Sequence, residues 1–179
     1  METVDSYTRY TGPEPHIEVH KYYGGVVTAS VVIALLLQSF LPVHFRSAGY
    51  LELPLLVTIY FALSKRNPSS GLLLGMVVGL LQDSLSRTPL GLYGIAKTVV
   101  GFIASSLGAR IDVEHPIARF LLTILFCLLH ASVFTLISRL LLARHDVSYI
   151  TIPVLIGAVV NGVIAMVLFP FLNRFRKPS

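Results

Sequence analysis

The sequence predicts an all-α membrane protein that crosses the bilayer six times. Of its 179 residues, 54% are hydrophobic and only 13% are charged, whereas about a quarter of the residues in a soluble domain carry a charge. The mean hydropathy is +0.75, and the charges cluster between apolar runs. Six spans of about 20 residues each fit the length and leave only short connections, so there is no room for a separate soluble catalytic domain.

Six apolar runs define the predicted spans, and prolines and glycines mark several of their ends. Pro42 closes the first span, and Pro54 and Pro153 fit the opening turns of the second and sixth, where a missing N–H costs nothing. Gly108 is a plausible C-cap of the fourth span. The predicted spans cover residues 22–41, 50–64, 70–85, 90–108, 117–143 and 151–172.

The distribution of Lys and Arg predicts that both tails, residues 1–21 and 173–179, lie in the cytoplasm, with the transmembrane domain over 22–172 between them. Nine basic residues lie on the side of the tails: Arg9, Lys21, Lys65, Arg66, Arg110, Arg119, Arg174, Arg176 and Lys177. Four lie on the opposite side: Arg46, Arg87, Arg139 and Arg144. Because basic residues are enriched in cytoplasmic loops, this bias fixes the orientation.

Composition and motifs exclude several classes of function. The net charge of +5 does not indicate nucleic-acid binding, because the basic residues form no dense stripe interleaved with aromatic residues. The single cysteine, Cys127, allows no intrachain disulfide and no cysteine-based metal site. The sequence has no HExxH, GxSxG or phosphate-binding loop and no pair of intramembrane aspartates. We therefore expect no catalytic residue, no metal and no cofactor.

Residues 1–21 are polar and do not have the pattern of a cleavable signal peptide, so we expect the first apolar run to be an uncleaved signal anchor.

Three glycines and a carboxylate recur every four residues in the third span. Gly71, Gly75, Gly79 and Asp83 therefore lie along one helix face. In lipid, close approach of helix backbones is a main source of attraction between helices, and glycine permits it. We expect this face to form the tightest helix contact, either within the chain or with a partner subunit.

Asp83 is predicted near the outer end of the third span, where a buried carboxylate needs a partner. Arg87, one turn later, is one candidate, and Lys97, about two turns into the fourth span, is another. The connection between the two spans is short, so they should be antiparallel neighbours, and we favour an Asp83–Lys97 contact. This contact would be either a structural ion pair that fixes the helix register or a proton or ion site. We favour the structural ion pair, because no series of acidic residues continues across the membrane.

Four other polar residues fall in or at the spans. Glu52 begins the second span, where a carboxylate complements the helix N-terminus and can reach the interface. Gln38 is expected to bond another helix. His130 and Asn161 lie near the middle of the fifth and sixth spans, and they would share a hydrogen bond worth about 0.6–2 kcal/mol if these helices are neighbours. No His or Cys lies at a useful helical spacing from His130, which disfavours a zinc site.

Parts of the third and fourth spans resemble MreD, the small integral membrane subunit of the bacterial rod-shape machinery. The resemblance lies in 75–83 (GMVVGLLQD), 89–94 (PLGLYG), Lys97, and Gly101 with Phe102. Phe102 replaces a tyrosine of the family pattern. A weaker similarity covers 51–54 (LELP), where the family more often has an aspartate beside the proline. On this basis Gly91 and Gly101 join the three glycines of the third span as expected packing or partner-interface positions.

The resemblance implies a non-enzymatic scaffold of cell-wall elongation and peptidoglycan synthesis in the bacterial inner membrane. Such proteins associate with MreC and with MreB, RodA and a penicillin-binding transpeptidase. Their fold is similar to the substrate-binding membrane subunit of energy-coupling-factor transporters, six helices around a cavity that would here receive a partner's segment. The alternative is a subunit that binds a small vitamin-type molecule for transport, with Glu52, Gln38, His130 and Asn161 as its polar pocket.

Overall fold

A computed structural model describes residues 22–45, 49–86, 88–109, 115–142 and 151–176, and within them the chain forms six α-helices. The helices are α1 (Gly24–His44), α2 (Leu53–Lys65), α3 (Pro68–Ser86), α4 (Leu92–Gly108), α5 (Pro116–Leu142) and α6 (Ile152–Asn173). The predicted N-terminal tail lies outside the described residues, as do Arg46, Arg87, Arg110, Arg144 and Lys177.

Each predicted span corresponds to one helix, with ends that differ by a few residues. Pro54 and Pro153 lie in the first turns of α2 and α6, as predicted. Two end signals were wrong. Pro42 lies inside α1, which continues to His44, because a proline in the last turn removes only one helical hydrogen bond. The C-cap of α4 is Ala109, and Gly108 is the last helical residue.

Four of the helices, α1, α3, α5 and α6, are long and apolar enough to cross a membrane. The other two are shorter: α2 has 13 residues and α4 has 17. At a rise of about 1.5 Å per residue, α2 spans about 20 Å, less than the apolar thickness of a bilayer.

The short helix α2 forms the centre of the bundle. All residues from Pro54 to Leu63 are buried, and α2 contacts each of the other five helices. A helix that is apolar all round lies either in a protein interior or in a membrane, and the burial of α2 by its neighbours places it in the interior of the bundle. The buried hydroxyl of Thr58 donates to the carbonyl of Pro54, so it leaves no polar group unpaired. The remaining helices pack around α2, most extensively as the pairs α3–α4 and α5–α6.

The start of α1 and the end of α6 lie together at one end of the bundle, here called the terminal end. The backbones of Tyr22 and Arg176 pair there as an isolated antiparallel bridge. The hydroxyls of Tyr22 and Tyr60 share a hydrogen bond of 2.7 Å, in which either can be the donor. Both oxygens also lie near Asn173 Oδ1, at 3.4 and 3.5 Å, and the hydroxyl that accepts in the first bond can donate to it. The ring of Tyr60 also packs against Phe169 at a centroid distance of 5.2 Å. These contacts close the terminal end.

Candidate functional site

The glycines of α3 form a row (Gly71, Gly75 and Gly79) that lies directly on the backbone of α4. A methyl group added at Gly75 would overlap the carbonyl of Lys97, and one at Gly79 would overlap that of Tyr93. Gly71 faces Gly101, whose own position is equally crowded by the Gly71 carbonyl. Of the two arrangements that the sequence left open, the structure therefore has packing within the chain.

Gly91 was expected at a packing or partner-interface position, and within the chain it lies on no packing surface. A Cβ atom at Gly91 would meet nothing within 4 Å, so the residue makes no close helix contact there. Its φ of 105° places it in the left-handed region, which glycine adopts without strain. Gly91 serves the turn before α4, where its N–H donates to Asp83 Oδ2 at 2.9 Å.

Asp83 caps the start of α4, and the predicted Asp83–Lys97 pair is wrong. Besides the Gly91 N–H, its carboxylate accepts hydrogen bonds from the N–H groups of Tyr93 and Gly94 and from the Thr88 hydroxyl, at 3.0 to 3.1 Å. The side chain is 1% exposed. The first N–H groups of a helix have no partners within the helix and carry partial positive charge. They therefore compensate the buried carboxylate without a cation.

Lys97 instead pairs with Glu52, which reaches it from the start of α2. Lys97 is fully buried, and its Nζ lies 3.4 Å from Glu52 Oε2. The same nitrogen lies 3.3 Å from His130 Nε2 on α5 and 4.8 Å from the centroid of the Tyr93 ring. The Tyr93 and His130 rings stack with their centroids 5.8 Å apart. One ammonium thus connects α2, α4 and α5.

Glu52 begins α2, as predicted, and its carboxylate pairs with a residue of α4. It occupies the N-cap position of α2, but its side chain makes no capping hydrogen bond. Its carboxylate is 24% exposed and points to Lys97 and to Gln82, whose Nε2 donates to Glu52 Oε2 at 3.4 Å.

The contact of Gln82 with Glu52 was not predicted from the sequence, although Gln82 lies next to Asp83 in the third span. An amide within an apolar helix is itself a signal of an interhelical contact. Among the described residues, its Oε1 is the one buried side-chain nitrogen or oxygen without a hydrogen-bond partner.

Two amide side chains hold the non-helical segment that precedes α2. Gln38 donates to the carbonyl of Leu51 at 2.8 Å and accepts from the N–H of Leu53 at 3.0 Å. Asn161 accepts from the N–H of Glu52 at 2.9 Å and donates to the carbonyls of Tyr50 and Gly157. Backbone groups at membrane depth need such partners.

The predicted His130–Asn161 hydrogen bond is therefore wrong. The structure uses Asn161 for the backbone before α2 and places His130 against Lys97.

A cavity of about 440 Å³ lies beside Glu52 and His130, at the end of the bundle opposite the terminal end. It separates the starts of α2 and α4 from the α5–α6 pair. Its lining combines apolar and polar side chains from these four helices and the segment before α2: Gly49, Tyr50, Glu52, Leu55, Tyr93, Cys127, His130, Ala131, Phe134, Thr135, Thr151, Pro153, Val154, Gly157, Ala158 and Asn161. The volume falls within the range of pockets that hold small ligands.

Three predicted polar residues, Glu52, His130 and Asn161, thus meet at the cavity, and Lys97 lies behind them. Asp83 lies apart, at the turn into α4. In the described part of the chain, no group of three or more His, Cys, Asp or Glu side chains could hold a metal ion.

The fold and this site define a helical membrane protein with a buried ion pair beside an internal cavity. The chain belongs to the MreD family, because the family model for the rod shape-determining protein MreD matches residues 20–177. That family acts in determining the rod shape of cells and consists of membrane proteins. Comparison with curated proteins and with solved structures gives no match.

Proposed function

We propose that this protein is a non-enzymatic scaffold of the cell-wall elongation complex and that its cavity receives a segment of MreC. MreB, RodA and a penicillin-binding transpeptidase are further proposed partners, and the surrounding membrane lipids complete the environment. The observation that carries the proposal is the cavity of about 440 Å³ between two differently built halves of the bundle.

The α3–α4 pair provides the rigid half in this proposal. Gly71 and Gly75 bring the two helix backbones into direct contact, and Asp83 fixes the turn between the helices through four hydrogen bonds. A scaffold needs a surface that keeps its shape when a partner binds. The α5–α6 pair closes the other side of the cavity and is joined to α4 through Lys97 and His130.

We further propose that the chain crosses the bacterial inner membrane six times, with both termini in the cytoplasm. The Tyr22–Arg176 bridge supports an even number of crossings, because it joins the start of α1 to the end of α6. The excess of Lys and Arg on the side of the tails supports the orientation. In this arrangement α2 and α4 complete their crossings with the non-helical segments before them, and the cavity faces outward.

Labelling of single cysteines tests this topology. In a Cys127→Ala background, cysteines at Ser6 and Ser179 should react with a membrane-impermeant maleimide only after the cells are permeabilised. A cysteine at Ser148 should react in intact cells. Reaction of both terminal cysteines in intact cells would overturn the orientation, and reaction of one terminal cysteine alone would overturn the even number of crossings.

Filling the cavity tests the partner. Ala131 lines the cavity, so Ala131→Phe should reduce co-purification of MreC by at least about tenfold, since blocking a few well-packed contacts at the centre of an interface costs more than about 1.4 kcal/mol. Ala29→Phe places the same side chain on an exposed position of α1 and should leave the yield of MreC unchanged. Both variants are first checked for wild-type melting temperature in detergent. Co-purification of MreC with folded Ala131→Phe at wild-type yield would refute the docking proposal.

The transport alternative gains no support from the family, which acts in shape determination.

A further inference from the structure

Glu52 and His130 form one part of the cavity lining, here called its floor. The contact between Lys97 and His130 determines which hydrogen bonds this floor can make. An ammonium group can only donate hydrogen bonds. His130 Nε2, which lies 3.3 Å from Lys97 Nζ, must therefore be the acceptor. This contact assigns the ring proton to Nδ1, so His130 offers an N–H group from its other side.

Glu52 offers the complementary group. Its two side-chain contacts, from Lys97 Nζ and Gln82 Nε2, both go to Oε2 at 3.4 Å. Among the described residues, neither Glu52 Oε1 nor His130 Nδ1 has a hydrogen-bond partner, and both residues line the cavity. Glu52 Oε2 and His130 Nε2 contact the same ammonium nitrogen, so the unused acceptor and the unused donor belong to neighbouring side chains of the cavity lining.

The charges around this region select against an ionic group. The Glu52 carboxylate is already neutralised by Lys97. An additional cation would compete with Lys97 for that carboxylate, and an anion would face it directly. An uncompensated charge is costly at membrane depth. A neutral group that both donates and accepts meets neither penalty.

We propose that the cavity binds an uncharged amide carried by an apolar molecule or segment. The amide N–H donates to Glu52 Oε1, and the amide carbonyl accepts from His130 Nδ1–H. Leu55, Ala158 and Phe134 supply apolar walls for the attached chain. The amide has its donor and acceptor on two different atoms, which suits two protein groups on different helices better than a single hydroxyl does.

This inference extends the proposed function by naming the group that a polypeptide partner presents to the cavity, a peptide group or an Asn or Gln side chain. Its test uses the purified chain without any partner. Its failure is therefore distinguishable from a failure of the MreC co-purification experiment.

Cys127 provides the readout, because it is the only cysteine of the chain and lines the cavity. The rate of its alkylation by N-ethylmaleimide is measured by mass spectrometry in detergent, with octanamide, octanoate or octylammonium as competitor. The three probes share one apolar chain and differ in the charge of the head group. We expect octanamide to slow alkylation about tenfold more than either ion at equal concentration, the factor that a hydrogen bond to a charged group supplies.

Two substitutions locate the effect. His130→Phe keeps the ring that stacks on Tyr93 but removes the donor, and should abolish the preference for octanamide. Thr28→Val changes a polar residue at an exposed position of α1, away from the cavity, and should keep the preference. Equal protection by the three probes, stronger protection by an ion, no protection by any probe, or failure of Cys127 to react in the free protein would each overturn the proposal. These outcomes are read on the wild-type chain, so they hold even if His130→Phe does not fold.

Discussion

The two sides of α4 are built in different ways. On one side, the glycine row of α3 lies against the α4 backbone, and Asp83 holds the connecting turn. On the other side, α4 meets α5 through long side chains, with Lys97, Tyr93 and His130 stacked between the helices, and a cavity lies beside them. Backbone contact leaves no room for a partner, whereas side-chain contact leaves space with a polar floor. The difference makes α3–α4 the tightly packed pair and leaves space on the α5–α6 side, where we propose that a partner docks.

The largest effect is expected from breaking the rigid side. Gly75→Leu should abolish folding and assembly, because the new side chain would meet the α4 backbone, which cannot move without separating the helices. Overpacking of a tight contact costs about 1–3 kcal/mol or more, and here backbone is the obstacle. Met76→Leu, at an exposed position of the same helix, should behave as wild type. The measurement is the yield of monodisperse protein and of co-purified MreC, and wild-type yields for Gly75→Leu would refute the packing account.

A smaller but still large effect is expected from the side-chain contact. Lys97→Met should destabilise the protein by about 3–5 kcal/mol, because it leaves the Glu52 carboxylate without its cation. Thermal unfolding in detergent reports the loss. The double variant Lys97→Met with Glu52→Gln should recover a large part of it, since no uncompensated charge then remains. Additive losses in the double variant would show that the two side chains do not form a pair.

An intermediate effect is expected at the turn into α4. Asp83→Asn should lower the stability of the protein by about 1–3 kcal/mol. The new NH₂ group would face N–H groups that now donate hydrogen bonds to the carboxylate. Ser84→Ala, at the neighbouring exposed position, is the control and should change the melting temperature little. A melting temperature of Asp83→Asn equal to that of Ser84→Ala would contradict the capping role.

The smallest effect is expected at Gln82. Gln82→Met removes a long hydrogen bond to Glu52 but also removes a buried oxygen without a partner. These two contributions oppose each other, so stability should change by less than about 1 kcal/mol. A loss as large as that of Lys97→Met would show that Gln82 is an essential member of the cluster.

The helices could be predicted from the sequence because each one corresponds to a local run of apolar residues. The same signal predicted the short helix α2 as a span over 50–64, although only the fold shows that it is enclosed on all sides. The glycine row was also readable, since its members lie four residues apart on one helix.

The partners of the polar residues were not readable, because they depend on which helices become neighbours. Lys97 and Glu52 are 45 residues apart in the chain, and nothing local connects them. Asp83 was the expected partner of Lys97 across a short connection, but that connection and the first turn of α4 supply N–H groups of their own. Gln38 and Asn161 form hydrogen bonds with the backbone before α2. A sequence pattern does not reveal that this backbone is non-helical and needs side-chain partners.

Photo-crosslinking in living cells tests most directly whether the cavity is where a partner docks. A diazirine amino acid at position 131 faces the cavity, and one at position 121 lies on the exposed face of the same helix, where Leu121 is 59% exposed. We predict an adduct with MreC from position 131 and none from position 121. An adduct from position 121 alone, or from neither position in cells that assemble the complex, would contradict the account.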